Sequence, residues 1–366
     1  MTSTLEAPDI DLDADAHASQ PRRLKLLDVE PPRGGRAVEL APGVRWCRIP
    51  MPTALDHINV WLIEHDGGTM VVDTGMAVGA GRETWEQIER QVLVNAPLRG
   101  VFLTHIHPDH VGLAGWLQQR HHVPVLMSKR THEQLAMLIA GDTDDAANNT
   151  DTADEGARFL MRHGASEERV RPLLEPGRFA RMTTGLPEPT QHVKDVEPLR
   201  WGARTWTALE TNGHAEGHLC LFAQPGDLLI SGDQVLPTIS SNIGLTWRSQ
   251  DKNPLGSFLA SLDRLQQLPA DTLVLPSHGV PFRGLQARID VLRSHHLEKL
   301  DLVASACNTP KTAGELLPVM YRRPLDGIHY LLAMNEALSH LEYLVSQHRL
   351  TCQIDATGTH RYAAPS

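Results

Sequence analysis

The sequence predicts a layered α/β fold, and three observations carry that prediction. Short apolar runs of strand length alternate with stretches of helical spacing. Five of those runs stop at turn-prone loops bearing histidine or aspartate. Beyond residue 288 the alternation gives way to helices and one terminal hairpin.

From Val38 to Asp73 the pattern is of short strands: Val44–Ile49, Asn59–Ile63 and Met70–Val72, with Gly67-Gly68 as a turn before the last. A helix follows over about 79–95, where Trp85, Ile88 and Val92 recur at helical spacing. The run Val101-Phe102-Leu103 reads as a buried strand, and Leu113–Leu117 opens a further helix. Residues 129–182 break this rhythm with helices at Arg130–Ala140 and Thr152–His163 around the polar stretch Asp142–Asn149. Leu209, Leu228–Ile230 and Leu273–Leu275 mark later strands. A helix over 288–306, a short one at Lys311–Leu317 and a long one from Gly327 to Gln347 follow. The hairpin pairs Leu350–Ile354 with His360–Tyr362.

Thr104-His105-Ile106-His107-Pro108-Asp109-His110 is the densest chemical signal. Imidazole and carboxylate are what a borderline-soft divalent ion such as zinc accepts as ligands. At a strand end, alternation puts His105 and His107 on one side. Pro108 turns the chain, so that Asp109 and His110 face a second position. One metal needs three or four protein ligands, so the cluster points to two ions. Other candidates stand on loops just past strands: Asp73-Thr74-Gly75, Gly213-His214-Ala215-Glu216-Gly217-His218, Ser231-Gly232-Asp233 and Ser277-His278-Gly279. His121-His122 and His295-His296 read as surface pairs in a chain with 20 histidines.

Taken in order, these motifs resemble those of the metallo-β-lactamase superfamily over residues 36–285, and its dinuclear, glyoxalase II-like branch in particular. The resemblance implies an αββα four-layer sandwich with the helical insertion and a C-terminal winged-helix-like domain. It divides the chain into a catalytic domain (26–287) and the appended domain (288–366), after a tail (1–25) that is acidic and poor in apolar residues and so is expected to be disordered. By the same resemblance, the insertion at 129–182 is expected to form a lid or pocket wall over the metals, with a packing elaboration remote from them as the alternative. Carried over residue by residue, it assigns His105, His107 and His214 to one metal. Asp109, His110 and His278 go to the second, with Asp233 bridging. Asp73 and His218 would stand behind the ligands, and two divalent ions, zinc first with iron or manganese as alternatives, would be the cofactors.

Composition bounds the partners. A formal net charge of -10 argues against gripping a nucleic-acid backbone. Residues 295–366 hold six Lys/Arg against seven Asp/Glu, so the C-terminal helices offer no basic recognition face; packing or homo-oligomer formation is the expectation there. Cys47, Cys220, Cys307 and Cys352 are widely spaced, which implies neither disulfides nor sulfur-bound zinc. No run approaches the roughly 18 apolar residues of a membrane span, and the acidic N-terminus lacks the features of a secretory signal, so a cytoplasmic setting is expected.

Two bound ions would make hydroxide available at neutral pH for attack on a carbonyl carbon, with Asp109 or Asp233 handling the proton. No Gly-x-Ser-x-Gly elbow competes with that chemistry. The expectation is hydrolysis of a thioester, ester or lactone of a small metabolite. Single-stranded RNA cleavage, lactam hydrolysis and di-iron redox chemistry are the alternatives. Ser240, Asn242 and Trp247 are the pocket candidates.

Overall fold

The computed structural model describes residues 23–53, 55–140, 146–174 and 177–365, the side chains of 146–152 excepted. Residues 1–22 of the expected acidic tail and 142–145 of the polar stretch lie outside the described residues.

Two seven-stranded sheets form the centre. The first runs, in spatial order, Val38–Ala41, Val44–Pro50, His57–His65, Gly68–Val72, Leu98–Phe102, Val125–Met127 and Gln191–His192. The second runs Lys25–Leu26, Phe282–Arg283, Leu273–Pro276, Leu228–Gly232, His218–Gln224, Arg204–Thr211 and Pro198–Trp201. Lys25, counted in sequence with the tail, is thus already in a strand, paired with Arg283.

Strand periodicity explains the layering. In His57–His65, Val60 and Leu62 face helices while Trp61 and Ile63 face the opposite sheet, and all four are buried. The seam between sheets holds Trp46, Trp61 and Phe102 from one side and Trp206, Leu219 and Leu275 from the other. Outside the first sheet pack Trp85 and Ile88 of the helix Gly81–Gln91 and Leu117 of Ala114–His121. Outside the second pack Phe258 and Leu262 of the helix Pro254–Leu265. This is the layered α/β fold the sequence predicted, in the four-layer form that the resemblance implied.

The last helices join the same core. Ile289, Leu292, Leu300 and Val303 of the helix Leu285–Ala306 share a cluster with Phe222, Leu229 and Val274 of the second sheet. Leu316 of Ala313–Met320 and Met334, Leu338 and Leu341 of Gly327–Ser346 complete it. A capping box starts the middle helix: Thr312 Oγ1 accepts from Glu315 N (3.2 Å) and Glu315 Oε2 accepts from Thr312 N (2.8 Å). The hairpin Thr351–Ile354 with His360–Ala363 ends the chain.

One expectation fails here. His296 is no surface histidine: it is fully buried, with Nδ1 3.3 Å from His340 Nε2. It falls on the apolar stripe of its helix, at helical spacing from Leu292 and Leu300, and packing places it inside. His121 is partly buried too, held 2.8 Å from Glu89.

Candidate metal centre

Parallel pairing brings the histidine-bearing loops to one edge. Gly68–Val72 and Leu98–Phe102 are parallel neighbours, so Asp73 and the Thr104–His110 loop emerge together. Leu228–Gly232 and Leu273–Pro276 are parallel neighbours in the other sheet, and deliver Asp233 and His278 to the same place. His214 comes from the loop between Arg204–Thr211 and His218–Gln224.

Two groups of donor atoms result, each drawn within 4.8 Å: His105, His107, His214 and Asp233 in one, Asp109, His110 and His278 in the other. In the first, His105 Nε2 lies 2.9 Å from His107 Nδ1 and 3.2 Å from His214 Nε2. Asp233 reaches both groups. Its Oδ2 is 3.4 Å from His214 Nε2, while Oδ1 is 3.5 Å from each of His110 Nε2 and His278 Nε2. Asp109 Oδ2 closes the second group, 3.3 Å from His278 Nε2 and 3.5 Å from His110 Nε2.

The outer ring nitrogens fix which lone pairs face inward. His110 Nδ1 donates to Asp73 Oδ2 (2.8 Å), His214 Nδ1 to the Asn242 carbonyl (2.9 Å) and His278 Nδ1 to the His57 carbonyl (2.9 Å). Those acceptors have no proton to give, so each Nε2 is left unprotonated in the neutral ring. Asp73 is held in turn by Thr104 N (2.9 Å) and Thr104 Oγ1 (2.8 Å).

This donor set fits divalent cations. A tetrahedral ion with bonds of about 2.0–2.1 Å separates its ligands by about 3.3 Å, and the spacings above run from 2.9 to 3.5 Å. His110 Nε2 and Asp233 Oδ1 are buried with no hydrogen-bond partner, a costly arrangement without a shared positive charge between them.

Electrostatics divides the histidines. Burial, then the other imidazoles, holds His105 far below the ordinary range, and burial with His214 beside it takes His107 to about 3. Burial also lowers His278, but Asp233 and Asp109 outweigh it and lift the ring to about 10. His110 rises well above its ordinary value for the same reason, with Asp109 and Asp73 the leading carboxylates against burial. Burial opposes ionisation of Asp109 and Asp233 as well, yet His110 and His278 pull both below the usual carboxylate range, Asp109 to about 2. The carboxylates therefore favour cationic charge at this site, the charge a divalent ion would supply.

His218 faces neither group as a donor. Its Nε2 accepts from Asp233 N (3.2 Å) and Nδ1 lies 2.9 Å from Thr211 Oγ1. A Cβ on Gly232 would stand 2.3 Å from His218 Nε2, at a φ of +53°, so only glycine fits between Ser231 and Asp233. Of the pocket candidates, Asn242 and Trp247 line a cleft of about 330 Å³ that opens on His107 and His214. Ser240 does not: its Oγ lies 3.2 Å from the Ser241 carbonyl and 3.4 Å from His296 Nε2. Gln134, Met137, Leu138 and Phe179 of the insertion form one wall, and Leu332 and Asn335 of the helix Gly327–Ser346 belong to the lining as well.

Sequence reasoning missed His57, whose carbonyl orients His278 and whose Nε2 accepts from Gly279 N (3.2 Å); no spacing signalled it. It also missed a third donor group, His296, Glu336 and His340. Lys299 Nζ sits 2.8 Å from Glu336 Oε1, so this cluster already holds its own cation. Glu336 and His340 stand four apart on one helix, the one sequence signal that pairs them.

Fold and donor set together define a metal-dependent hydrolase, and the comparisons with known proteins agree. Residues 53–278 match the Metallo-beta-lactamase superfamily, and the chain belongs to it. Residues 300–365 match the Metallo-beta-lactamase-like, C-terminal domain. A Beta-lactamase domain protein from Burkholderia ambifaria has a similar crystal structure, with a TM-score of 0.83 and 35% identity over 93% of this chain and 97% of that one. The Probable metallo-hydrolase YqjP of Bacillus subtilis (strain 168) is 26% identical over 83% of this chain and 92% of its own. The Acyl-coenzyme A thioesterase MBLAC2 of Homo sapiens is 25% identical over 71% of this chain and 86% of its own. Among the described residues no helix is long and apolar enough to cross a membrane.

Proposed function

We propose that this metallo-hydrolase is dinuclear and cleaves thioesters, with esters and lactones as related substrates. The observation that carries the reading is Asp233, one of whose oxygens faces each donor group. His105, His107 and His214 would hold one divalent cation and Asp109, His110 and His278 the other. Zinc suits the nitrogen-rich first group; iron and manganese are the alternatives. When bound, such ions lower the pKa of water from about 15.7 to about 7 and polarise an acyl oxygen.

The chain's own residues do the rest. Asp73, the Asn242 carbonyl and the His57 carbonyl keep three imidazoles in the ligating tautomer. Asp109 or Asp233, both held below the usual carboxylate range by His110 and His278, would take a proton from the attacking water and pass it to the leaving group. The cleft beside His107 and His214 orients the substrate. The human relative's name, an acyl-coenzyme A thioesterase, supports the thioester over the ester.

A panel of acyl thioesters, aryl esters, lactones, a lactam and a fluorescent single-stranded RNA, run on protein of measured metal content, tests this reading. Thioester cleavage at close to two ions per chain is the expected result. Cleavage of RNA alone, or full activity at less than one ion per chain, overturns it.

A further inference from the structure

We infer that the cleft between the insertion and the C-terminal helix binds an apolar acyl chain, and so selects the substrate by chain length. This inference rests on the thioesterase reading above. The cleft begins at two candidate ligands, His107 and His214, so a group held in it is joined to the reacting carbonyl.

Its apolar side chains are the ones left facing solvent. Met137 is 47% exposed and Leu332 is 37% exposed, and both line the cleft alongside Leu138 and Phe179. Exposed apolar surface gathered in a concave site beside a reaction centre marks a place for an apolar ligand.

The charged lining groups Glu216, Asp251 and Arg248 are engaged within the protein, as are the hydroxyls of Thr246 and Ser249. Glu216 accepts from Arg130 Nε (2.8 Å) and from Gln250 N (2.8 Å). Asp251 accepts from Asn253 N (2.8 Å), and Thr246 and Ser249 bond one another (3.1 Å). Arg248, the one Arg or Lys among the described lining residues, lies over the Trp247 ring at 5.4 Å. Among the described residues, three neutral atoms of the lining are buried without a hydrogen-bond partner: Gln134 Oε1, Trp247 Nε1 and Asn335 Oδ1. They suit an occasional hydroxyl or carbonyl on a chain, not an anionic group. A charged leaving group therefore belongs outside, and the acyl half inside.

Two thioester series test this, one lengthening the acyl half from acetyl to octanoyl, the other lengthening an alkyl thiol. Burying a methylene is worth about 0.8 kcal/mol, which is about three- to fourfold in kcat/KM. That rise per carbon is expected in the acyl series until the cleft is filled, and not in the thiol series. Met137→Asp and Leu332→Asp, both at partly exposed positions, are expected to flatten the acyl slope. Leu302→Asp, on the exposed face of a neighbouring helix and outside the cleft, should leave it intact. A flat acyl slope in the unaltered protein, a slope in the thiol series instead, or a slope untouched by both cleft variants overturns the inference.

Calorimetric binding of straight-chain carboxylates to the full-length protein separates the two readings. Affinity rising with chain length and lost in the cleft variants, without thioester turnover, would sink the thioesterase reading and keep the cleft. Turnover with no chain-length dependence in either measurement would do the reverse.

Discussion

Asp73 occupies a φ of +63°, a region that aspartate and asparagine tolerate better than other side chains. Its carboxylate is almost fully buried and holds His110 Nδ1 at 2.8 Å. Asp73→Asn keeps the backbone preference but weakens the anchor. Metal affinity should fall about 10- to 100-fold, as losses behind a ligand usually do; a competing chelator reads this, and unchanged affinity would remove Asp73 from the site. Asp233→Ala and His105→Ala should abolish hydrolysis while far-ultraviolet circular dichroism stays native. Of the two, only Asp233→Ala is expected to reduce occupancy of both groups, measured as metal per chain after dialysis.

Glu336 supplies a different residue-scale test. Burial opposes its charge, but Lys299 and His340 hold it at about 2. Its folded value lies below the unfolded one, so its stabilisation is complete above about pH 4.5 and disappears as pH falls towards 2. The shift corresponds to about 3 kcal/mol. The facing histidines, His296 and His340, are lowered by burial and act on the same side, costing stability from about pH 6.5 downward. Denaturant unfolding of metal-free Glu336→Gln should therefore show a shallower loss than the unaltered protein between pH 4.5 and 2; parallel curves would refute the pairing.

At the scale of elements, the loop after Asp233 is held from outside the two sheets. Buried Arg288 donates to the Leu236 carbonyl (2.6 Å) and the Ile239 carbonyl (2.7 Å), and Leu245 N donates to Asn335 O (2.9 Å). Hydrogen bonds from a charged group contribute about 1.5–3 kcal/mol each. Arg288→Met should lower the denaturation midpoint by an amount worth about 2–4 kcal/mol and weaken metal retention; a fall in stability alone would mean that the loop keeps its shape without the clamp. The strand-end loops were legible because an apolar run followed by His or Asp is a local pattern. Asn242 O, His57 O and Arg288 were not, because each acts across a contact between segments far apart in sequence, and a backbone carbonyl carries no mark of its role. His296 was readable in part: its position in the stripe Ile289, Leu292, Leu300 and Val303 placed it on the buried face of its helix.

For the whole molecule, the sequence conveyed the layered α/β class through its alternation of short apolar runs with helical stretches, and the four-layer sandwich through the motifs that carry the family resemblance. It did not convey that the C-terminal helices share one core with the second sheet, since an apolar helix face does not name its partner. That shared cluster predicts a single unfolding transition, coincident by tryptophan fluorescence and circular dichroism; two separated transitions would show that the last helices fold independently. The placement of Leu332 and Asn335 in the cleft has a wider consequence. A module that lends side chains to the neighbouring site cannot drift in sequence without altering what the enzyme prefers. Chimeras that graft a relative's last helices onto this scaffold should then inherit the donor's taste in substrates, with the chemistry left where it was.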